Sequence, residues 1–151
     1  MGRTKPKVPE AYVTGITDGE GCFYVQITKN SAYKSGYKVQ LHFHLKLQAI
    51  DEDLLWKIQN TLQCGNVYFQ KDNRKNHSHC YRYTVSAQSD IFTCIIPFFQ
   101  RNKLQTTSKS ASFTTFCKIA HLVKQGEHKQ AKGMKKIIAL KKLLNNTDGL
   151  A

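Results

Sequence analysis

The sequence predicts an α+β domain of order αββαββα, with four antiparallel strands covered by helices on one face and open on the other. Two pairs of segments, spanning about 23–47 and 67–85, alternate apolar and polar residues with period two. Stretches of helical spacing precede, separate and follow those pairs. A length of 151 residues with 40% hydrophobic content is enough for one domain with its own core.

The first helix opens near Pro9, whose missing N–H costs nothing in a first turn, and Glu10 complements the positive end of its dipole. Gly15 within it costs about 1 kcal/mol relative to Ala, which points to the close approach of another helix. Gly19 and Gly21 allow backbone conformations closed to other residues, so the chain is expected to turn out of the helix there and place Glu20 at a defined point. The first strand turns Phe23, Val25 and Ile27 inward and Tyr24, Gln26, Thr28 and Asn30 outward. A polar turn from Lys29 to Gly36 carries Tyr33 and Lys34. The second strand sets Val39, Leu41, Phe43, Leu45 and Leu47 inward against Lys38, Gln40, His42, His44 and Lys46.

Asp51 can cap a helix whose apolar positions are Leu54, Leu55, Ile58 and Leu62, ending near Gly65. In the second hairpin Val67 and Phe69 alternate with Tyr68 and Gln70, and Tyr81, Tyr83 and Val85 with Arg82 and Thr84. Its polar turn, Asp72 to Ser78, contains Arg74 and Lys75. Ser89 and Asp90 open a helix that Pro97 is expected to kink or shorten. Helices over about 109–125 and 130–144 close the order. The chain divides into a basic arm (1–8), a single domain (9–145) and a tail (146–151).

Lys+Arg 23 against Asp+Glu 10 leaves a net charge of +13, a field that favours a polyanionic partner, nucleic acid first. No acid lies between Gly21 and Ile50 or between Ile91 and Gly126. The acidic pair Asp18 and Glu20 is therefore set among positive charge, as a metal-dependent nuclease requires. A twisted two-stranded ribbon fits the DNA major groove, with alternate side chains aimed at base edges. The five cysteines are odd in number and form no C-x-x-C pair, which suits a reducing compartment. His77, His79, Cys80 and Cys64 could form a zinc set, but their spacing matches no common module. No apolar run reaches transmembrane length and Met1 to Val8 lacks a signal-peptide core, so the expectation is a soluble intracellular protein.

Val13-Thr14-Gly15-Ile16-Thr17-Asp18-Gly19-Glu20-Gly21 resembles the nine-residue motif of the LAGLIDADG homing endonucleases. Gly15, Asp18, Glu20 and Gly21 match its key positions, while Thr14 and Thr17 depart from it in ways that touch helix packing more than chemistry. Leu47 to Leu55, Ile95 to Phe99 with Leu104-Gln105-Thr106, and Gly133 to Asn145 are similar to later segments of the family in the same order.

The resemblance implies a LAGLIDADG-type unit whose open sheet face binds double-stranded DNA. It makes Glu20 the metal ligand, assisted by the Gly19 carbonyl, with Asp18 either touching the metal or capping the helix junction. Gln48 would order the attacking water. Lys109, with Lys103 in reserve, would stand at the scissile phosphate. The implied ion is Mg2+, with Mn2+ or Ca2+ able to occupy the same site. DNA contacts would come from Tyr24, Gln26, Thr28, Asn30, Tyr33, Lys34, Lys38, Gln40, His42, His44, Lys46, Tyr68, Gln70, Asp72, Arg74, Lys75, Arg82, Thr84 and Lys103.

With one motif in the chain, the resemblance implies a homodimer joined through Tyr12, Thr14, Gly15 and Asp18. It also implies a double-strand cut with 3′ overhangs in a long, roughly palindromic target, promoting intron mobility from a chloroplast or mitochondrial gene. Two rivals use the same basic surface: an intron-encoded maturase binding intron RNA, and a non-catalytic DNA-binding regulator.

Overall fold

The computed structural model describes residues 5–145; the first four residues of the expected basic arm and the whole expected tail, 146–151, lie outside them. The order is α1 (Glu10–Glu20), β1 (Gly21–Lys29), β2 (Tyr37–Gln48), α2 (Glu52–Leu62), β3 (Asn66–Gln70), β4 (Cys80–Val85), α3 (Gln88–Asp90), α4 (Ile96–Arg101), α5 (Thr107–Lys124) and α6 (Ala131–Asn145). The four strands form one sheet in the order β1-β2-β4-β3, so the two hairpins join through β2 and β4. Fold class and element order are those expected.

The described residues group into two compact units. The first holds the chain through Cys22 together with Phe43–Leu104. Here β4 lies antiparallel to β2, with Phe43 opposite Val85 and Leu45 opposite Tyr83, and β3 pairs on its other side. Phe43, Leu45, Tyr83 and Val85 are fully buried, and α2 packs on the hairpin strands through Leu55 and Ile58. Phe43 also meets Phe99 of α4, ring centroids 5.4 Å apart. The Gly65 backbone has φ +80, and a Cβ there would stand 2.7 Å from the Thr84 carbonyl oxygen, so the turn from α2 into β3 requires glycine.

Several local expectations change. The first helix runs through Glu20, and Gly21 follows in extended conformation at φ −73, ψ 154, so neither Gly19 nor Gly21 uses a left-handed backbone. Gly21 is instead a matter of space, since a Cβ would lie 2.8 Å from the Thr17 carbonyl oxygen. Asp51 makes no side-chain cap; a 3-10 turn, Ala49–Asp51, leads into α2, whose first turn is charged by Glu52 and Asp53. Pro97 does not end its helix, because Ile91–Ile95 form a π turn in which the Ile96 N–H reaches back to Ile91. Pro97 thereby falls in the first turn of α4, where its missing N–H breaks no α-type bond. Phe69, expected inward, is 53% exposed on the edge strand and meets Tyr81 and His79 edge-on.

The second unit holds Phe23–His42 and the described residues from Gln105 onward. Phe23, Val25, Val39 and Leu41 are buried, and Phe23 packs against Phe113 and Phe116 of α5 at 5.2 and 5.4 Å between ring centroids. Ile119, Ala120 and Val123 of α5 and Met134 and Ile137 of α6 complete this core. The helices thus cover the apolar side of the hairpin, leaving the residues of opposite parity on the other face.

Candidate metal centre and nucleic-acid interface

The motif segment forms a helix despite two buried threonines, because each hydroxyl is satisfied within the helix. Thr14 Oγ1 donates to the Glu10 carbonyl at 3.0 Å and Thr17 Oγ1 to that of Val13 at 2.7 Å. Both threonines are buried, Thr14 at 7% and Thr17 at 0% exposure. Glu10 anchors the start of α1 by accepting from Asn102 Nδ2 at 2.7 Å and Arg101 Nε at 3.3 Å.

At the other end Glu20 is the last helical residue and is exposed, as is Gly19, with Asp18 half-buried. The donor that would close an α-type bond to the Gly19 carbonyl belongs to Phe23, already on β1. A carboxylate and a backbone carbonyl at the negative end of a helix dipole are hard oxygen ligands suited to a divalent cation of the Mg2+ type. Among the described residues no group of three or more His, Cys, Asp or Glu could hold a metal ion. Gln48 ends β2 opposite Cys80 and is exposed.

His77, His79, Cys80 and Cys64 do not converge as a zinc set. Cys64 Sγ lies 2.8 Å from Cys94 Sγ, while His79 Nδ1 accepts from the Asp72 N–H. Lys103 is exposed in the loop after α4; Lys109 is half-buried in the first turn of α5, where Thr106 caps its N–H.

In the second unit, Tyr24, Gln26 and His42 lie together on the polar face. His42 Nε2 is 3.3 Å from Gln26 Oε1, and the Tyr24 and His42 rings are 5.8 Å apart. Thr28, Lys34 and Lys38 are exposed, with Gln40 and Tyr33 half-buried. Asn30 closes the turn: its Oδ1 accepts from the Ala32 N–H at 3.0 Å and its own N–H donates to Gly36 at 2.8 Å.

In the first unit the corresponding face carries His44, whose Nδ1 is 3.1 Å from Thr84 Oγ1, and Arg82, which stands opposite both Lys46 and Tyr68. Beside them a cleft of about 510 Å3 is lined by Lys46, Gln70, Lys71 and Arg74 with Phe69, Asp72 and Cys80. Asp72 spends its carboxylate on the turn, accepting from Arg74 Nε at 3.0 Å, Arg74 Nη2 at 2.7 Å and the Arg74 N–H at 2.9 Å. The Arg74 guanidinium, then its backbone N–H, hold that carboxyl well below the usual range. Lys75 is exposed at the tip. Lys71, which lines this cleft, was not singled out from the sequence; its position beside Gln70 was the available signal.

The family model described as LAGLIDADG endonuclease matches residues 13–120. A protein of Neurospora crassa named "Probable intron-encoded endonuclease 2" is 34% identical over 136 residues, which are 89% of this chain and 29% of that protein. The chain therefore spans less than a third of that curated relative. The crystal structure of the homing endonuclease I-TnaI superposes with a TM-score of 0.79 at 29% identity, covering 93% of this chain and 96% of that one. I-SmaMI, bound to an uncleaved DNA target in the presence of calcium ions, superposes with a TM-score of 0.82 at 28% identity, covering 93% of this chain and 46% of that one.

Proposed function

This chain belongs to the LAGLIDADG endonuclease family, and from that premise we propose that it is a site-specific homing endonuclease that cuts both strands of double-stranded DNA. The observation that carries the reading is Glu20, exposed beside the Gly19 carbonyl at the negative end of α1 in a chain of net charge +13. The names of the relatives support it, as does the DNA held by I-SmaMI.

The active unit is a homodimer. Gly15 and Gly19 are exposed, and a Cβ on either would meet nothing within 4 Å among the described residues. Two helical glycines that cost about 1 kcal/mol each and serve no packing among those residues are explained by a second α1 lying against them. Tyr12 and Asp18 flank that stripe; Thr14, 7% exposed, supports it from beneath. The match to about half of I-SmaMI leaves room in that chain for a second unit of this size.

Two Glu20 carboxylates brought to the two-fold axis would repel each other, and a divalent cation held there would offset that repulsion. Glu20 and the Gly19 carbonyl would hold Mg2+, or in its place Mn2+ or Ca2+, and the bound ion would supply Lewis acidity to the scissile phosphate. The Gln48 amide orients the water that attacks phosphorus. Lys109, or Lys103 in its stead, places positive charge at the phosphate as negative charge develops there. The outward residues of the two hairpins hold the duplex, and a cut across the minor groove leaves 3′ overhangs. Expression from an organellar intron, mitochondrial or chloroplast, agrees with the intron-encoded names of the relatives. Among the described residues no helix is long and apolar enough to cross a membrane.

The test is selection of cleaved molecules from a random duplex library with and without Mg2+. One roughly two-fold symmetric family of cut sequences, recovered only with the ion, is the expected result. Absence of any cut duplex under both conditions removes the nuclease reading.

A further inference from the structure

Outside the sheet, α6 carries a concentrated positive charge. It contains Lys132, Lys135, Lys136, Lys141 and Lys142 and no acid, and Glu127 is the only Asp or Glu between Gln105 and Asn145. Met134, Ile137 and Leu144 are its buried stripe. Lys135 and Lys142 are exposed and seven residues apart, hence on one side of the helix and about 10 Å from each other along it. Lys141 is seven residues after Met134 and falls in line with the buried stripe, between Ile137 and Leu144, where it is half-buried.

The Lys141 ammonium lies 5.5 Å from the centroid of the Tyr24 ring. Tyr24 alternates with the buried Phe23 and Val25, so it stands on the polar face of β1, where it also meets His42. A charge from α6 is thereby delivered to the margin of the face that the hairpin offers to a ligand. Lysines kept only for solubility extend into water; this one is held on an aromatic face, where the cation–π attraction fixes its position before any ligand arrives. A fixed ammonium, with two exposed ones about a third of a turn away round the same helix, offers several positive charges to the regular negative charge of a nucleic-acid backbone.

We propose that α6 adds a sequence-independent contact to the DNA backbone, made by Lys141 on its Tyr24 seat together with Lys135 and Lys142. The inference rests on the DNA-binding reading above and extends it to phosphates beside the stretch read by the strands. Nothing in the contact reads a base, so it acts equally on target and unrelated duplex.

The experiment compares full-length wild type with the combined variant Lys135→Ala/Lys141→Met/Lys142→Ala. A matched variant, Lys5→Ala/Lys7→Ala/Lys57→Ala, removes the same charge elsewhere. Binding to a selected target duplex, an unrelated duplex of equal length and a structured RNA is followed across a salt series. The expected result is equal weakening on both duplexes, with the slope of log K against log salt reduced by about 0.9 for each phosphate that is no longer neutralised, and a target-to-unrelated ratio unchanged. The matched variant should keep the wild-type slope. Identical slopes for the α6 variant and wild type overturn the proposal, and so does a weakening confined to the RNA. Wild type that binds no duplex at any salt removes the DNA reading itself, an outcome distinct from a binding protein whose slope ignores α6.

Discussion

Asp72 and Glu20 are two of only ten acids in a chain of 23 lysines and arginines, and their surroundings assign them opposite tasks. Arg74 grips Asp72 with its guanidinium and its backbone N–H, whereas Glu20 is exposed at a helix end. Because the Asp72 carboxyl is held down in the folded state, the order it gives the turn is complete above the ordinary carboxylate range. That order is lost as pH falls toward the lowered value. An NMR titration should therefore place the Asp72 midpoint well below that of a solvated aspartate; an ordinary midpoint would dissolve the Asp72–Arg74 fork. A second prediction separates reading from attraction. Gln40 alternates with the buried Val39 and Leu41, so Gln40→Ala should change preference at one or two base pairs of each half-site. Lys124, in the last turn of α5, should on replacement by Ala weaken all duplexes alike and flatten the salt dependence by about 0.9. Binding profiles against single-substitution duplexes check both, and unchanged base preference in Gln40→Ala would turn the reading face away from DNA. Alternation in the sequence sufficed to assign Gln40, His44 and Arg82 to the polar face. It could not show that Asn30 and Asp72 close their own turns, since such bonds depend on a turn geometry that alternation does not carry.

At the scale of the element, α1 makes the sharpest demand. A Gly15→Ala chain loses nothing inside the protomer and gains helix propensity, so the dilute monomer should become about 0.5–1 kcal/mol more stable. The same methyl faces the proposed partner helix, and the larger Gly15→Leu should leave a monomer. Thermal unfolding at low concentration and sedimentation at high concentration measure the two effects. A Gly15→Leu dimer of wild-type affinity would remove α1 from the interface. The four strands and α2 were legible as elements from their apolar period, whereas α3, the π turn and α4 were read as one helix. The ends and kinks were not: the π turn at Ile91–Ile95 absorbs Pro97, and the tight fit of Gly21 against Thr17 replaces the left-handed turn expected there. Both depend on packing between residues four or five positions apart, where composition offers several solutions of similar cost.

At the scale of the whole molecule, the motif, the basic composition and the open sheet face are those of a LAGLIDADG endonuclease unit, which the proposed homodimer would double. On the proposed reading, Glu20 and the Gly19 carbonyl of one chain would be joined by those of a second copy packed along α1. On that reading, binding energy would come from the hairpins and the lysines, and the cut would depend on Glu20. That division is the central claim, and one measurement addresses it most directly: Mg2+-dependent cleavage and target binding, followed side by side for wild type and Glu20→Gln on the selected duplex. The account predicts no cleavage by the variant and binding within about tenfold of wild type, roughly 1.4 kcal/mol. Near wild-type cleavage by Glu20→Gln in Mg2+ would contradict it.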